Sequence, residues 1–226
     1  MSHSISVSVI LLAGGVGSRM KSSTPKQFLL LNGKPVALHS FDLFASFEMI
    51  SEIIVVCDPL YRSLFPSNTN FALPGARRQD SLFNGMQKIS TQCDLVCVHD
   101  AARPLLEHSD LQKLLAEAAK HRAAALAVPM KCTIKQADEQ GFVTTTLDRT
   151  TLWEMQTPQV ATPALLMEGF KIAQEKNLTV TDEAMLVELT GHPFKLVTGS
   201  HSNIKITTPE DWAVVETLSP PSSSYV

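Results

Sequence analysis

The sequence predicts an α/β fold: a mostly parallel sheet with helices on both faces. Three observations carry that expectation. Ile5 to Leu12, Ile53 to Cys57, Leu95 to Val98 and Ala124 to Val128 are short, nearly unbroken apolar runs, as strands buried on both sides are. Segments with helical periodicity stand between them. The first run stops at Ala13 and enters a turn holding Gly14, Gly15 and Gly17, which fits a strand feeding a helix.

The elements follow in order. Pro35 to Phe47 reads as a helix with Leu38, Phe41, Leu43 and Phe44 apolar. Asp58-Pro59 begins a turn or short helix to about Phe65, and Pro66 to Pro74 is loop-like with at most a weak strand. Arg78 to Ile89 is a helix with Leu82, Met86 and Ile89 on one face. The third apolar run ends in His99-Asp-Ala-Ala-Arg-Pro104. Ser109, with Gln112 three residues on, forms a capping box that opens a helix to about Arg122.

The alternation then breaks. Cys132 to Ala137 and Phe142 to Leu147 have strand character and are joined by Asp138-Glu-Gln-Gly141, a hairpin turn. Their faces are rich in Thr, Lys and Gln. A two-stranded hairpin is marginal alone, so it must lie on something, and a partner subunit is a candidate. The chain returns at Leu152-Trp153 and Gln156-Thr-Pro-Gln159. Thr162-Pro163 starts a helix to about Lys176. Thr181 caps another, with Asp182 and Glu183 in its first turn, and Gly191 ends it. Phe194 to Thr198 and Ile204 to Ile206 are short strands, and Thr208-Pro209 opens the last helix. Ser219 to Val226, with two prolines and four serines, reads as a frayed tail. No repeat and no linker divides the chain. One domain over 1–226 is expected, with an arm at about 130–152.

Composition narrows the function. The 226 residues are 44% hydrophobic, enough for a sizeable core, and carry a formal charge of −3. No global basic field argues for nucleic acid, so anion binding must be local. The cysteines, Cys57, Cys93, Cys97 and Cys132, show no zinc spacing. Cys57 and Cys97 lie in apolar runs, as buried thiols in a reducing compartment do. Ile5 to Leu12 is too short for a signal peptide and no run reaches membrane-span length. A soluble, cytoplasmic protein is expected.

The glycine turn carries the chemistry. Successive N–H groups in such a turn form an anion nest, and Arg19, Lys21 and Lys26 follow it closely. A Walker A loop needs G-x-x-x-x-G-K-S/T, but Arg19 stands at the second glycine. A dinucleotide fingerprint needs G-x-G-x-x-G, but Met20 stands at the third glycine. The plain alternative is a tight strand-to-helix turn. Arg19 and Lys26, with Pro25 before the lysine, favour a nucleotide-phosphate loop.

Ligands in open α/β sheets sit at the carboxyl ends of strands. Asp100 and Arg103 follow the third run there, and Lys205 lies in or after a late strand. A carboxylate facing a phosphate loop suggests Mg²⁺, which takes one or two carboxylates plus substrate phosphates, and Asp100 is its ligand on this reading. Alternatively Asp100 pairs with Arg103 or caps a turn. On position alone Lys205 is equally a solvated strand lysine, Arg149 a surface arginine and Thr181 a helix cap. His99 has no Ser or Cys nucleophile placed with it, so it reads as a structural group. With no protein nucleophile in view, direct transfer between bound substrates is favoured, the charge on phosphorus oxygens being met by Lys, Arg and metal.

These residues form a recognisable set. Leu12-Ala-Gly-Gly-Val-Gly-Ser-Arg-Met20 with Pro25-Lys-Gln27, Gly75 with Arg78-Gln-Asp-Ser81, His99-Asp-Ala-Ala-Arg-Pro104, Arg149-Thr-Thr-Leu-Trp153 with Gln156-Thr-Pro-Gln159, Thr181-Asp-Glu-Ala184 and Asn203-Ile-Lys-Ile-Thr207 run in order over nearly the whole chain. Together they resemble the 2-C-methyl-D-erythritol 4-phosphate cytidylyltransferases of the non-mevalonate isoprenoid pathway.

The resemblance implies a three-layer, Rossmann-like nucleotidyltransferase fold with a protruding β-hairpin arm, and transfer of CMP from CTP to methylerythritol phosphate with release of pyrophosphate. It implies that Arg19 and Lys26 stabilise the pentavalent phosphorus, with Arg149 and Lys205 also catalytic. Asp100, with Ala101 beside it, meets the metal and substrate region. Arg103, Thr157, Thr181 and Lys205 surround the sugar phosphate. Thr133 and Arg149 come from the other subunit of a homodimer, through the arm. Cytosine selection falls to the backbone of Ala13, Gly14 and Gly15 with Gly75 and Ser81. Two departures stand out: Gly14 replaces a common alanine, which loosens the turn, and Cys132 replaces a common aspartate. A close relative transfers CMP to ribitol 5-phosphate or another pentitol phosphate, but Arg149 with Leu152-Trp153, and Ala102, lean toward methylerythritol phosphate. An NAD(P)-binding oxidoreductase and a non-catalytic nucleotide-binding protein are the readings from other classes.

Overall fold

The apolar runs become strands of one seven-stranded sheet in a computed structural model that describes residues 5–15, 20, 24–90 and 92–219. Its first half builds the centre and one edge. β1 (Val7–Leu12) leads to a 3-10 turn (Lys26–Phe28) and a tiny hairpin, β2 (Leu30–Leu31) and β3 (Lys34–Pro35). Asn32 and Gly33 turn that hairpin, both at positive φ (52° and 77°), as the Asn-Gly pair of a two-residue turn requires. Then come α1 (Val36–Ala45), β4 (Ile50–Val56), β5 (Asn70–Ala72), α2 (Arg78–Met86) and β6 (Leu95–Asp100).

The second half contains α3 (His108–His121), β7 (Ala123–Pro129), the arm strands β8 (Ile134–Ala137) and β9 (Val143–Leu147), and β10 (Trp153–Ala161). It closes with α4 (Pro163–Glu175), α5 (Glu183–Leu189), β11 (Lys195–Thr198) and α6 (Pro209–Leu218). The sheet order is β11-β7-β10-β6-β1-β4-β5. All neighbours are parallel except β10, which is antiparallel to β6 and β7. The chain leaves β7 through the arm and returns beside the strand it left, so β10 must run the other way.

Alternation splits the core. Val9, Leu11 and Cys97 face α1 and α3, packing with Phe41, Phe44, Leu111 and Leu114. Ile10, Val96 and Val98 face the other way, onto Leu82 of α2, Leu166 of α4 and Leu186 of α5. Both faces are covered, which is why these strands read as continuous apolar runs. A third, smaller cluster joins Leu31, Val36 and Ile206 to Val215 of α6.

Four sequence expectations need correction. The first helix after β6 begins at His108 with Glu107 as its N-cap and no side-chain cap bond, so Ser109 lies inside the first turn. Asp182, not Thr181, caps α5, its carboxylate accepting from Met185 N at 3.0 Å. Ile204 to Ile206 form no strand. Both isoleucines drop into the third cluster instead, and Ile206 N donates to Ala102 O at 2.9 Å. β10 is a strand that the sequence does not announce. Of the expected tail, Ser219 is tied to Asn32, whose amide donates to its carbonyl, and 220–226 lie outside the described residues.

Candidate active site

Register sets the site. Leu12, at the end of β1, stands opposite Val56 of β4 and Asp100 of β6. The three strands end level, and the loops that follow them surround a cleft of about 400 Å³. This is the carboxyl edge, where open α/β sheets place ligands.

The glycine loop starts one residue beyond β1. Ala13 N donates to Val56 O at 2.9 Å, extending the parallel ladder. Gln27 then reaches across, its Nε2 donating to Ala13 O at 2.6 Å and to Gly15 O at 2.8 Å. Lys26 precedes it in the 3-10 turn, is 9% exposed and lines the cleft. Phe28 of the same turn stacks on Tyr61, ring centroids 3.9 Å apart. Glycine at 14 does not loosen the turn. An added Cβ there would lie 2.4 Å from Pro74 Cβ, so its absence lets the opposite wall close in. Gly75 is equally tight: its Cβ would meet Asp80 and Ser81 at 2.4–2.9 Å, and Gly75 N donates to Ser81 Oγ at 2.9 Å.

A charge cluster forms the floor. Arg78 donates Nε and Nη2 to Asp100 Oδ1 at 3.2 and 3.1 Å. It also grips Glu183, Nη1 to Oε1 at 2.6 Å and Nη2 to Oε2 at 3.1 Å. Lys205 Nζ sits 2.6 Å from Asp100 Oδ2. Asp100 therefore pairs with Arg78 and Lys205, not with Arg103. Burial opposes ionisation of Asp100, but attraction to Arg78 and Lys205 wins, so its carboxyl stays well below the usual range. For Glu183, deeper still, burial outweighs Arg78 and pushes the carboxyl upward.

A buried histidine ties the floor together. Asp100 N donates to Thr157 Oγ1 at 3.0 Å, leaving that hydroxyl its one proton for His99 Nδ1, also at 3.0 Å. His99 Nε2 faces Arg103 O at 3.2 Å and must be the donor there. These partners assign a neutral ring, and burial lowers its pKa to about 4.

Of the residues expected at the site, Gly14, Gly15, Lys26, Gly75, Ser81, Asp100 and Lys205 line the cleft. Ala13, Ala101, Arg103, Thr157 and Thr181 do not. Ala13 spends its N–H on Val56 and its C=O on Gln27. Ala101 N donates to Leu12 O at 3.0 Å, and the Thr157 hydroxyl is held between Asp100 and His99. Arg103 Nη1 donates to Asn203 O at 2.6 Å, and exposed Thr181 turns its hydroxyl toward Met185 Sδ at 3.9 Å. Thr133 and Arg149 are exposed on the arm, away from the cleft lining, and Arg149 Nη1 donates to Lys131 O at 2.5 Å. Arg19 lies outside the described residues. Sequence reasoning quoted Arg78 and Gln27 within motifs and put Glu183 in a helix's first turn, but gave none of them a role at the site.

Among the described residues, no group of three or more His, Cys, Asp and Glu gathers to hold a metal. Asp100 is the one carboxylate on the described cleft lining. That fits Mg²⁺ in the pattern where substrate phosphates supply most ligands, and does not fit an all-protein cage.

Known proteins agree with this geometry. A profile of the family described as "IspD: 2-C-methyl-D-erythritol 4-phosphate cytidylyltransferase" matches residues 7–219. The chloroplastic enzyme of that name from Oryza sativa subsp. japonica is 50% identical over 220 residues, covering 94% of this chain and 74% of the rice protein. The Chlamydia pneumoniae enzyme is 44% identical over 95% of this chain and 99% of its own. The crystal structure of the Thermus thermophilus enzyme superposes with a TM-score of 0.79 at 30% identity, covering 95% of this chain and 98% of that one. These matches leave no place for the oxidoreductase or binding-protein readings. With a mostly parallel sheet, a glycine loop and a lysine-flanked cleft, the chain is a cytidylyltransferase and belongs to the 2-C-methyl-D-erythritol 4-phosphate cytidylyltransferase family.

Proposed function

We propose that this chain transfers CMP from CTP to 2-C-methyl-D-erythritol 4-phosphate, giving 4-diphosphocytidyl-2-C-methyl-D-erythritol and pyrophosphate. The observation that carries this reading is the convergence of Lys26, Lys205 and Asp100 on one cleft beside the glycine loop. An oxygen of the acceptor phosphate attacks the α-phosphorus in line. The new O–P bond forms as the bond to the β-phosphate's bridging oxygen breaks, and pyrophosphate leaves with that electron pair. Lys26 and Lys205, with Arg19, meet the charge that develops on the phosphorus oxygens. Gly14, Gly15, Gly75 and Ser81 form the walls against which the nucleotide lies, Gly75 and Ser81 through a turn locked by their own hydrogen bond. Arg103, Thr157 and Thr181 do not line the described cleft, and Thr157 would serve the acceptor side indirectly, its hydroxyl fixing the Asp100 backbone.

Asp100 would hold Mg²⁺, which supplies charge neutralisation to the triphosphate when bound. The arm supports a homodimer. Its strands are largely exposed, with Ile134 opposite Leu147 and, past a register shift, Ala137 opposite Val143. Phe142 and Val143 are 73% and 60% exposed, an apolar surface that a second copy would cover and that a lone hairpin would not keep. In that dimer Thr133 and Arg149 complete the neighbouring site. No described helix is long and apolar enough to cross a membrane, and the four cysteines are free, which suits work in the reducing cytoplasm.

The test is pyrophosphate release from each of the four NTPs, with methylerythritol phosphate or ribitol 5-phosphate, with and without Mg²⁺. Release only with CTP, methylerythritol phosphate and metal is the expected result. Release with ribitol 5-phosphate instead would overturn the acceptor. Full activity in EDTA would overturn the metal.

A further inference from the structure

Gln27 is 3% exposed and sits between Lys26 and Phe28 in a turn of three residues. A glutamine amide has two N–H bonds. Here both are spent on the glycine loop, Nε2 meeting Ala13 O at 2.6 Å and Gly15 O at 2.8 Å. Both acceptors are backbone carbonyls, so the amide has one possible orientation, nitrogen toward the loop. Two carbonyls two residues apart are thereby turned toward one point. Between them sits Gly14, whose backbone passes close against Pro74. The turn bearing Gln27 is in turn held from its far side by the Phe28–Tyr61 stack.

We infer that Gln27 is a positioning residue for the transfer. It fixes the separation of Lys26 from the glycine loop and turns that loop's carbonyls inward, away from the phosphate path. Carbonyl oxygens facing a triphosphate would repel it, so their capture by one buried amide removes a repulsion that anion binding would otherwise meet. The inference rests on the proposed reading of the loop as the CTP site. Glutamate has the same shape as glutamine and no N–H to give. Gln27→Glu would set a carboxylate against two carbonyls at under 3 Å, whereas Gln27→Ala would leave room for water to satisfy them.

The experiment compares wild type, Gln27→Ala and Gln27→Glu in three measurements: thermal unfolding, CTP affinity by calorimetry, and steady-state kinetics in both substrates. The expected result is that kcat/KM for CTP falls by about 100-fold in Gln27→Glu, as an ångström-scale misplacement can do, and less in Gln27→Ala. CTP affinity falls with it, while KM for the acceptor stays within about threefold in whatever turnover remains. A merely structural role would lower the melting temperature and leave the kinetics of the folded protein unchanged, and that result would overturn the inference. Equal effects of Ala and Glu would overturn it too. Wild type that neither binds nor turns over CTP would instead refute the reading of the site, and the role of Gln27 with it.

Discussion

Replacing Arg78 by Met isolates the floor of the cleft. Arg78 is the shared partner of two buried carboxylates, with side-chain exposures of 28% for Arg78, 10% for Asp100 and 1% for Glu183. Its loss leaves Glu183 without its only charged partner in the cluster and Asp100 with Lys205 alone. Breaking a buried pair by removing one side costs about 3–5 kcal/mol. For a chain of this size each kcal/mol moves the melting temperature by about 2–4 °C, so a fall of roughly 6–20 °C is expected. Lys205→Met also breaks a contact to Asp100, but Lys205 is 38% exposed and Arg78 remains on the other oxygen. Such a half-solvated pair contributes about 0–1 kcal/mol. The assay is thermal unfolding followed by circular dichroism, with urea titration as a check. Arg78→Met combined with Glu183→Met should recover part of the loss, because no unpaired charge stays at the deepest point. Melting temperatures of Arg78→Met and Lys205→Met within about 2 °C of each other would refute the cluster as a buried electrostatic unit.

Burial holds His99 neutral to about pH 4, while in the unfolded chain it takes a proton at the ordinary histidine value of 6.5. The folded pKa is the lower one, so the unfolded state binds more protons in that window, and stability is present above 6.5 and lost as pH falls toward 4. Urea unfolding near pH 7 and pH 5 should show this loss, by up to about 2 kcal/mol, and His99→Gln should flatten it. Gly75→Ala would drive a Cβ to 2.8 Å from Asp80 C and 2.9 Å from Ser81 N, both backbone. We expect about 1–3 kcal/mol of destabilisation by overpacking and a raised KM for CTP, read by melting and kinetics. If the arm completes the neighbouring site, mixing inactive Lys26→Ala and Arg149→Ala subunits should restore activity in mixed dimers, and no recovery once mixing is demonstrated would refute the shared site.

The central strands were legible because both faces of the sheet are covered, so hydrophobicity alone marks them. β10 was not, because it borders the site. Trp153 to Gln159 is polar, holds Pro158, and pairs with β7 through a register shift between Met155 and Gln159. The hairpin of β2 and β3 went unread because strands of two residues are too short to show alternation. At the site, the strand expected around Lys205 does not form, whereas Asp100 could be placed from the end of an apolar strand and Lys26 from the glycine turn before it. Arg78 could not: its carboxylates lie 22 and 105 residues away, and nothing local distinguishes it from a solvated helix arginine. Thr181 misled because two capping residues stand in a row before α5, Asp182 taking the cap while Glu183, in the first turn, turns to Arg78.

The way Asp100 is held bears on how the cleft would receive a triphosphate. Its backbone N–H is fixed by Thr157, one carboxylate oxygen by Arg78 and the other by Lys205. These restraints differ in mobility. Thr157 is buried and Arg78 is clamped by Glu183, but Lys205 reaches in from the half-exposed segment before α6. An incoming anion can therefore draw off only Lys205. If Asp100 had Lys205 alone, that departure would leave a buried carboxylate uncompensated, and the cost would be charged against substrate binding. With Arg78 in place the carboxylate stays neutralised, and the oxygen vacated by Lys205 is the one open to a divalent cation on the proposed metal reading. Asp100 would hold the cation through that oxygen, and Lys205 would pair with the phosphates. Glu183, by clamping Arg78, would then keep Asp100 compensated when a bound triphosphate draws Lys205 away, so a deeply buried carboxylate supports the open side of the cleft.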